Sequence, residues 1–408
     1  MRGVGSGRGA RLAWTLAAVF TAAHTSAAAA APPAATRAGS PRPRAASSAA
    51  FDAIAKKAAA AKEAGRYDEA IGYYREALKL KPSWFQGRFF LGTLLHDNDR
   101  FEEARDEFRR LVQADPRNGL VLALEGLCEF QLKNYERALK ELQAARDLGI
   151  SSPDVMSVAS FHLAILLNRF EQYELAFEVL RDFAGQNKDT QGVIEAFGLS
   201  VLRMPLLPSE MPADRREMIL MAGRAGFHQA KGRATPSGRL AFEELVSRYP
   251  NAPNVHYAYG VFLVRDQPEA GLEEFRRELR SSPSHYHAML QIAYELLKEG
   301  KYDDAKPYAE QAAQLAPNLF AAHHALGRIH LQTGDVDKAI DSLETARRLA
   351  PDSPEVRFSL ARAYAKAGRA EEAARERAEF VKLDKARRTA RSGPQSVGGE
   401  ADEPPPKN

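Results

Sequence analysis

The chain of 408 residues contains a single cysteine, Cys128. One thiol cannot form a disulfide within the chain, and it cannot build a thiolate metal cluster. The sequence also lacks any sustained alternation of apolar and polar residues bounded by turn pairs, which is the pattern of β-strands. These absences argue against a disulfide-stapled fold and against a sheet. The sequence therefore predicts an all-α protein.

Catalytic motifs are equally scarce. The chain beyond its N-terminal segment has no Gly-x-Ser-x-Gly elbow, no phosphate-binding glycine-rich loop and no dinucleotide fingerprint. Histidines do concentrate in one part of the chain, but no two of them have the i, i+4 spacing that places two metal ligands on one helix face. They are His285, His287, His323, His324 and His330. We therefore predict no catalytic residue, no cofactor and no metal site.

Charge gives little support for a nucleic-acid partner. The formal net charge is +4, and three of the positive charges are Arg2, Arg8 and Arg11, so the rest of the chain carries 4 − 3 = +1. A nucleic-acid site would require a basic stripe on the folded part. The one compact basic cluster is interpreted as a solvated helix end, which the helix dipole favours, and an anionic partner there is the alternative. The cluster consists of Lys382, Lys385, Arg387, Arg388 and Arg391.

The N-terminus has the composition of a targeting segment. Three arginines precede an apolar stretch at 12–23, and small residues follow at 26–31. This order is typical of a secretory signal peptide. We predict an exported bacterial protein, periplasmic or extracellular, that is cleaved between Ala27 and Ala30. The alternative is an uncleaved anchor in the inner membrane, although His24 and the low hydrophobicity of alanine argue against a membrane span.

Prolines recur at a fixed interval in two parts of the chain. Neighbouring prolines within each part are 34 residues apart, and Ile150 occupies the next position of the first series. A period of this size indicates a repeated helical hairpin, which buries its apolar face only by stacking on its neighbours. Each proline ends one hairpin because it cannot continue a helix. The series consists of Pro82, Pro116, Pro283, Pro317 and Pro351.

Other residue types recur at constant offsets from these prolines. One repeat contains Leu91, Gly92, Ala104 and Phe108 before Pro116. The pattern resembles the tetratricopeptide repeat, in which small residues let the first helix of a hairpin approach the second. The resemblance implies a right-handed α-solenoid of antiparallel helical hairpins, and we expect about nine hairpins and one extra helix. The same pattern returns at Leu326, Gly327, Ala339, Leu343 and Pro351.

Composition and repeat register together predict the domain organisation. The Pro-rich segment at 204–212 is interpreted as an ordered loop packed on the solenoid, with partner docking as its functional alternative. The predicted order is a signal peptide at 1–30, a disordered spacer rich in Ala, Pro and Arg at 31–50, an N-terminal tetratricopeptide block at 51–190, an extra helix with the Pro-rich loop at 191–212, a C-terminal block with a capping helix at 213–387, and a disordered tail at 388–408.

Three charges occupy positions where the tetratricopeptide pattern is apolar. Glu125 and Glu129 replace a leucine and an aromatic residue, and Arg88 replaces the tryptophan one repeat earlier. An unpaired buried charge would cost several kcal/mol. We therefore hypothesise that Arg88 pairs with one of the two glutamates across the repeat interface. The alternative is a small rotation of the helix that leaves the charges in solvent.

The family resemblance also implies a binding surface. In tetratricopeptide proteins the first helices line the concave side of the solenoid, which receives a peptide or a helix of a partner. The polar clamp that some relatives use for the C-terminal carboxylates of chaperones is not visible, and the first block is apolar, so helix-in-groove or extended apolar recognition is favoured. The alternative is that some of these residues pack between hairpins. The predicted lining is Phe89, Thr93, Leu127, Phe130, Phe161, Ile165 and Asn168 in the first block, and Tyr257, Val261, Tyr294, His324, Arg328, Phe358 and Arg362 in the second.

These observations predict an exported, non-enzymatic scaffold that binds a protein or peptide on the concave face. One alternative is a membrane-anchored assembly factor of an envelope or secretion complex. A second is the regulatory array of an enzyme complex, which is disfavoured because no part of the chain is long enough and non-repetitive enough to hold a catalytic domain. The sequence leaves the identity of the partner and the oligomeric state open.

Overall fold

A computed structural model describes residues 43–232 and 235–392 of the chain. Within these ranges the chain forms 19 α-helices and no strand, so the all-α prediction is confirmed. The predicted signal peptide and the tail beyond residue 392 lie outside the described residues.

The chain divides into two units, Met1–Arg216 and Glu217–Asn408. Eight helices of the first unit form four hairpins, and α9 is an additional helix, followed by two short 3-10 turns at Pro208–Glu210 and Ala213–Arg215. The helices are α1 (Pro43–Glu63), α2 (Tyr67–Leu80), α3 (Phe85–Asp97), α4 (Phe101–Ala114), α5 (Gly119–Gln131), α6 (Tyr135–Leu148), α7 (Pro153–Arg169), α8 (Tyr173–Gly185) and α9 (Gln191–Val201).

The last eight helices of the second unit form four hairpins, and two helices precede them, the first of which begins at the boundary residue Arg216. In the first unit, and in the second unit after its first helix, helices that follow one another along the described chain pack against one another, as expected for a solenoid. The helices are α10 (Arg216–Lys231), α11 (Pro236–Arg248), α12 (Val255–Leu263), α13 (Pro268–Ser281), α14 (Tyr286–Lys298), α15 (Tyr302–Leu315), α16 (Phe320–Thr333), α17 (Val336–Leu349), α18 (Pro354–Lys366) and α19 (Ala370–Ser392).

Two predicted boundaries differ from the structure. Helix α1 begins at Pro43, inside the segment predicted as a disordered spacer, and α19 continues to Ser392, beyond the predicted limit of 387. The alanines at 45–50 have the highest helix propensity of all residues, and proline is tolerated in the first turn of a helix. Composition alone therefore misplaced both ends, because an Ala-rich or charged terminal segment can extend a helix that is already packed.

Small residues set the spacing of the two helices within a hairpin. A Cβ atom added to Gly327 on α16 would lie 2.4 Å from Cγ of Leu343 on α17. The same substitution at Gly92 on α3 would place Cβ 2.7 Å from the ring of Phe108 on α4. Leu343 and Phe108 are fully buried. The repeated glycine therefore permits a close approach that a larger side chain would prevent.

We expect Gly327→Ala to lower the free energy of unfolding by about 1–3 kcal/mol, because the core must shift to admit the methyl group. Gly72→Ala on α2 is the matched control, since nothing lies within 4 Å of its Cβ position. That change should raise the free energy of unfolding by about 0.5–1 kcal/mol through helix propensity alone. Urea denaturation followed by circular dichroism measures the free energy of unfolding of both variants. A stabilising effect at both positions would contradict the close-approach argument.

The Pro-rich loop lies against the helices of the first unit. Arg169 Nη1 donates to the carbonyl of Pro205 at 3.3 Å and contacts the carboxylate of Glu210 at 2.8 Å. Glu210 also accepts a hydrogen bond from the backbone N–H of Leu207, whose side chain is buried. The segment is thus an ordered loop on the solenoid, as predicted, and its docking function stays a prediction.

Candidate functional site

A cleft of 840 Å³ opens on the first unit, where helices α3, α5, α7, α8 and α9 meet. Its volume lies in the range typical of ligand pockets. Most of the wall is apolar, and polar groups stand among and around the apolar ones. The lining residues are Thr93, His96, Asp97, Leu124, Leu127, Gln131, Val155, Ser157, Val158, Phe161, His162, Phe183, Lys188, Thr190, Gln191, Gly192 and Val193.

The apolar wall follows from the composition of the first helices. Helix α5 is apolar around most of its circumference. Gly126 packs against Leu142 of the second helix in the hairpin, while Leu124 and Leu127 line the cleft. Helix α5 thus packs into the core with one side and lines the cleft with another.

Polar side chains of the cleft are held by local contacts. Lys188 Nζ donates to Ser157 Oγ at 3.5 Å, and Gln191 Nε2 donates to Glu195 Oε1 at 2.8 Å. His96 Nδ1 lies 3.5 Å from the carboxylate of Asp97. These contacts position a few polar groups along a largely apolar wall, an arrangement typical of ligand-binding clefts.

Three residues of the predicted lining meet in this cleft, namely Thr93, Leu127 and Phe161. Phe89 and Phe130 are half-buried and lie against other aromatic rings. The register prediction thus located part of the cleft wall, while its role in binding stays a prediction.

Two further predicted residues of the first block are buried between helices. Ile165 is 4% exposed and Asn168 is fully buried. Asn168 Nδ2 donates to the carbonyl of Ala196 at 2.9 Å, and its Oδ1 accepts from Ser200 Oγ at 2.7 Å. Asn168 therefore fastens α7 to α9, as foreseen by the alternative that such residues pack between hairpins.

The second block divides between core and surface. Tyr257 and His324 are buried, and His324 Nε2 lies 2.9 Å from Ser359 Oγ. Burial, together with the nearby charge of Arg328, lowers the pKa of His324 to about 4. Tyr294 donates its hydroxyl to the carbonyl of Ala321 at 2.9 Å and so links α14 to α16. The remaining residues keep part of their surface in solvent, and they are Val261, Arg328, Phe358 and Arg362.

Register did not identify every wall residue. Val158 precedes Phe161 by one helical turn, as Leu124 precedes Leu127, so helical periodicity could have found both. Val193 lies on α9 and Lys188 precedes that helix, and both are outside the repeat pattern. The repeat pattern has no positions equivalent to these two residues, so register could not predict them.

The predicted pairing of Arg88 with a glutamate of α5 is wrong. Arg88 pairs with Glu107 of α4. Glu125 and Glu129 are nevertheless buried, with 2% and 1% of their surfaces exposed, so the solvated alternative is wrong as well. Their partners are arginines of two second helices. Arg109 contacts the two carboxylates at 3.1 and 2.8 Å, and Arg137 contacts them at 3.0 and 3.1 Å.

A third carboxylate completes this ionic cluster. One oxygen from each of Glu125, Glu129 and Glu141 lies within 4.8 Å of the others. Arg137 Nε donates to Glu141 Oε1 at 2.6 Å, whereas Glu141 Oε2 has no hydrogen-bond partner. Burial is the main cause that raises the pKa of Glu141 to about 7, and the two neighbouring carboxylates contribute to the increase while Arg137 opposes it. Two guanidinium groups supply the compensating charge, so the cluster holds α4, α5 and α6 together.

The described residues contain no helix that is both long and apolar enough to cross a membrane.

Stacked hairpins with an apolar cleft on their first helices define a helical-repeat protein, a class whose curved arrays present binding surfaces to other proteins and are typically non-enzymatic. The sequence model of the tetratricopeptide repeat family matches residues 55–119, 290–354 and 324–379. These matches lie in both units, so each unit contains a segment that matches the tetratricopeptide repeat.

Two curated proteins show sequence similarity to the chain. Cellulose synthase operon protein C of Xanthomonas axonopodis pv. citri (strain 306) is 27% identical in an alignment of 373 residues that covers 87% of this chain and 23% of that protein. Anaphase-promoting complex subunit 3 of Schizosaccharomyces pombe (strain 972 / ATCC 24843) is 23% identical in an alignment of 260 residues that covers 62% of this chain and 33% of that protein. The chain thus spans a third or less of these relatives.

Two solved structures are each similar to less than half of the chain. MamA 41-end from Desulfovibrio magneticus RS-1 is 20% identical, covers 42% of this chain and 98% of its own, and has a TM-score of 0.39. A crystal structure of MamA protein is 15% identical, covers 45% of this chain and 98% of its own, and has a TM-score of 0.37.

Proposed function

We propose that the first unit binds an apolar segment of a partner protein in its cleft and that the chain acts as a non-enzymatic interaction scaffold. The observation that carries this proposal is the apolar cleft lined by Leu124, Leu127, Val155, Phe161 and Val193, in which Phe161 keeps part of its surface in solvent and the other four side chains are buried beneath the opening. An apolar surface of this kind gains free energy when a partner covers it, at about 25 cal/mol per Å².

A partner helix fits the cleft better than an acidic tail. The wall comes from five helices and is apolar over most of its area, so a row of apolar side chains at helical spacing would contact several of them. Lys188, Gln191 and Gln131 are exposed and can contact the polar face of such a helix. The wall offers no group of basic side chains that would hold a run of carboxylates.

An amphipathic helical peptide of Leu, Ala, Gln and Lys with one central Trp, carrying a fluorescent label, tests the proposal. We expect the full chain to bind it and Phe161→Asp to bind at least about tenfold more weakly, because a charge enters an apolar site. Phe358→Asp is the matched control, since Phe358 is an exposed aromatic residue on a first helix of the second unit. Fluorescence anisotropy gives the Kd values. Equal loss in both variants would overturn the assignment to the cleft.

Export is part of the same proposal and is supported by the order of residues at 1–31. The scaffold would then act outside the cytoplasm, either free or anchored. Cell fractionation of the tagged full chain, with and without residues 1–30, distinguishes these outcomes. Recovery of the full chain in the cytoplasmic fraction would contradict export without affecting the binding proposal.

A further inference from the structure

His162 places one hydrogen-bonding group within the apolar wall. Its side chain lines the cleft on α7, and its Nδ1 lies 2.9 Å from the carbonyl oxygen of Val158. A carbonyl oxygen only accepts hydrogen bonds, so Nδ1 must carry the proton. Burial lowers the pKa of His162, and the nearby His96 lowers it further. The imidazole is therefore neutral at physiological pH, and Nε2 is an acceptor.

Nε2 of His162 is available to a ligand. It has no hydrogen-bond partner among the described residues. The fully buried side-chain atoms that lack a partner are Glu141 Oε2 and His330 Nδ1, so Nε2 is not closed off from solvent. His162 lines the cleft, so a segment bound there lies against its ring.

Neighbouring rings fix the orientation of this acceptor. The His162 ring lies edge-to-face against Phe130, with centroids 4.6 Å apart, and against Phe161, with centroids 5.6 Å apart. The Val158 carbonyl holds the opposite nitrogen. A ring held on three sides presents its free acceptor in a defined direction, which is a requirement for selective recognition.

We infer that the cleft selects an apolar segment bearing a tryptophan whose indole N–H donates to His162 Nε2. This inference rests on the proposed function of the cleft. Tryptophan combines a large apolar ring with a single donor and no acceptor, which matches an apolar wall with one acceptor. A purely apolar side chain at the same place would cover Nε2 without replacing its bond to water, and that loss disfavours it.

Two peptides separate this inference from the proposed function. They are the labelled amphipathic peptide described above and a second one in which benzothienylalanine replaces Trp, so that sulfur takes the place of the N–H. We expect the parent protein to bind the Trp peptide about three- to tenfold more tightly, the value of one hydrogen bond. Equal binding would overturn the inference and leave the proposed function standing. Failure of both peptides to bind would overturn both.

A variant and a spectroscopic measurement locate the preference at His162. His162→Phe keeps an aromatic ring and removes the acceptor, so both peptides should still bind and the preference for Trp should disappear. In the parent protein, the nitrogen-15 resonance of Nε2 should lie at lower chemical shift in the complex with the Trp peptide than in the complex with its analogue, because a hydrogen bond shields an acceptor nitrogen of imidazole. This second measurement does not depend on the folding of the variant. A preference that survives in His162→Phe, or an Nε2 resonance that is the same in the complexes with the two peptides, would overturn the inference.

Discussion

Arg137→Met is expected to lower the free energy of unfolding of the chain by about 3 kcal/mol at pH 8, because the carboxylates of Glu125 and Glu129 are buried and lose one of the two charges that compensate them. Arg137 contacts Glu125, Glu129 and Glu141 at 3.0, 3.1 and 2.6 Å. Its removal leaves Arg109 as the guanidinium that neutralises the first two carboxylates, and Glu141 loses its hydrogen-bond donor. Methionine preserves most of the apolar stem, so the loss reports mainly on charge.

The deficit should grow with pH. The pKa of Glu141 is raised from 4.5 to about 7 in the folded protein, and Arg137 is one of the groups that hold it down. A folded-state pKa above the unfolded value means that the folded protein keeps the proton longer, so this contribution to stability is present below pH 4.5 and is lost as pH rises through about 7. Without Arg137 the carboxylate is harder to ionise, and the penalty extends to higher pH.

Urea denaturation of the parent and of the variant at pH 6 and pH 8 measures this effect. Arg146→Met is the matched control, because Arg146 is exposed on the same helix and lies outside the cluster. The control should change the free energy of unfolding by no more than about 0.5 kcal/mol. Similar losses in the two variants, or a loss in Arg137→Met that is the same at both pH values, would contradict the ionic interpretation.

The hairpin architecture was predictable because the same residue types recur at the same positions of each repeat, which gives several independent indications of one packing arrangement. Gly92 and Gly327 occupy equivalent positions, and each meets a large buried side chain of the second helix in its hairpin. A single glycine would indicate little, whereas the recurrence of glycine at one offset indicates close packing. The start of α1 at Pro43 was not predictable in this way, since that segment carries no repeat signal and composition was the only guide.

The site was predictable only where repeat register applied. Thr93, Leu127 and Phe161 lie at family positions and do line the cleft, whereas Val193 on α9 has no family position. Register identified Glu125 as an unusual charge but gave the wrong partner, because arginine side chains are long and approach from the second helices. A sequence pattern predicts which face of a helix a residue occupies. Which charged groups form ion pairs depends in addition on the length and direction of their side chains.

Removal of the Glu278 carboxylate should destabilise the second unit even more strongly. Glu278 lies on α13 and is fully buried. Its Oε1 accepts from the backbone N–H of Asn254 at 2.8 Å, and its Oε2 accepts from the backbone N–H of Tyr257 at 3.1 Å. These amides stand at the N-terminus of α12, where four N–H groups lack partners within the helix. Helix α13 thus supplies the N-terminal cap of α12.

Asn254 cannot provide this cap itself. Its backbone is in the left-handed conformation, with φ of 68°, and its side chain makes no capping bond to α12. Instead, Asn254 Oδ1 lies 2.8 Å from Nε2 of His285. The other ring nitrogen of His285, Nδ1, caps α14 by accepting a hydrogen bond from the backbone N–H of Ala288. The Asn254 turn is therefore held by contacts from two other segments, and the carboxylate of Glu278 is the one that satisfies its amides.

We expect Glu278→Ala to lower the free energy of unfolding by about 4 kcal/mol, because two buried N–H groups lose their acceptor and a cavity forms. Glu273→Ala on the same helix removes an exposed carboxylate that pairs with Arg277 and Arg280, and it should cost no more than about 1 kcal/mol. Native-state hydrogen exchange adds a local test, since the amides of Asn254 and Tyr257 should lose protection in Glu278→Ala alone. Unchanged protection of both amides would show that α12 is capped by some other group, and the large loss of stability would then need a different cause.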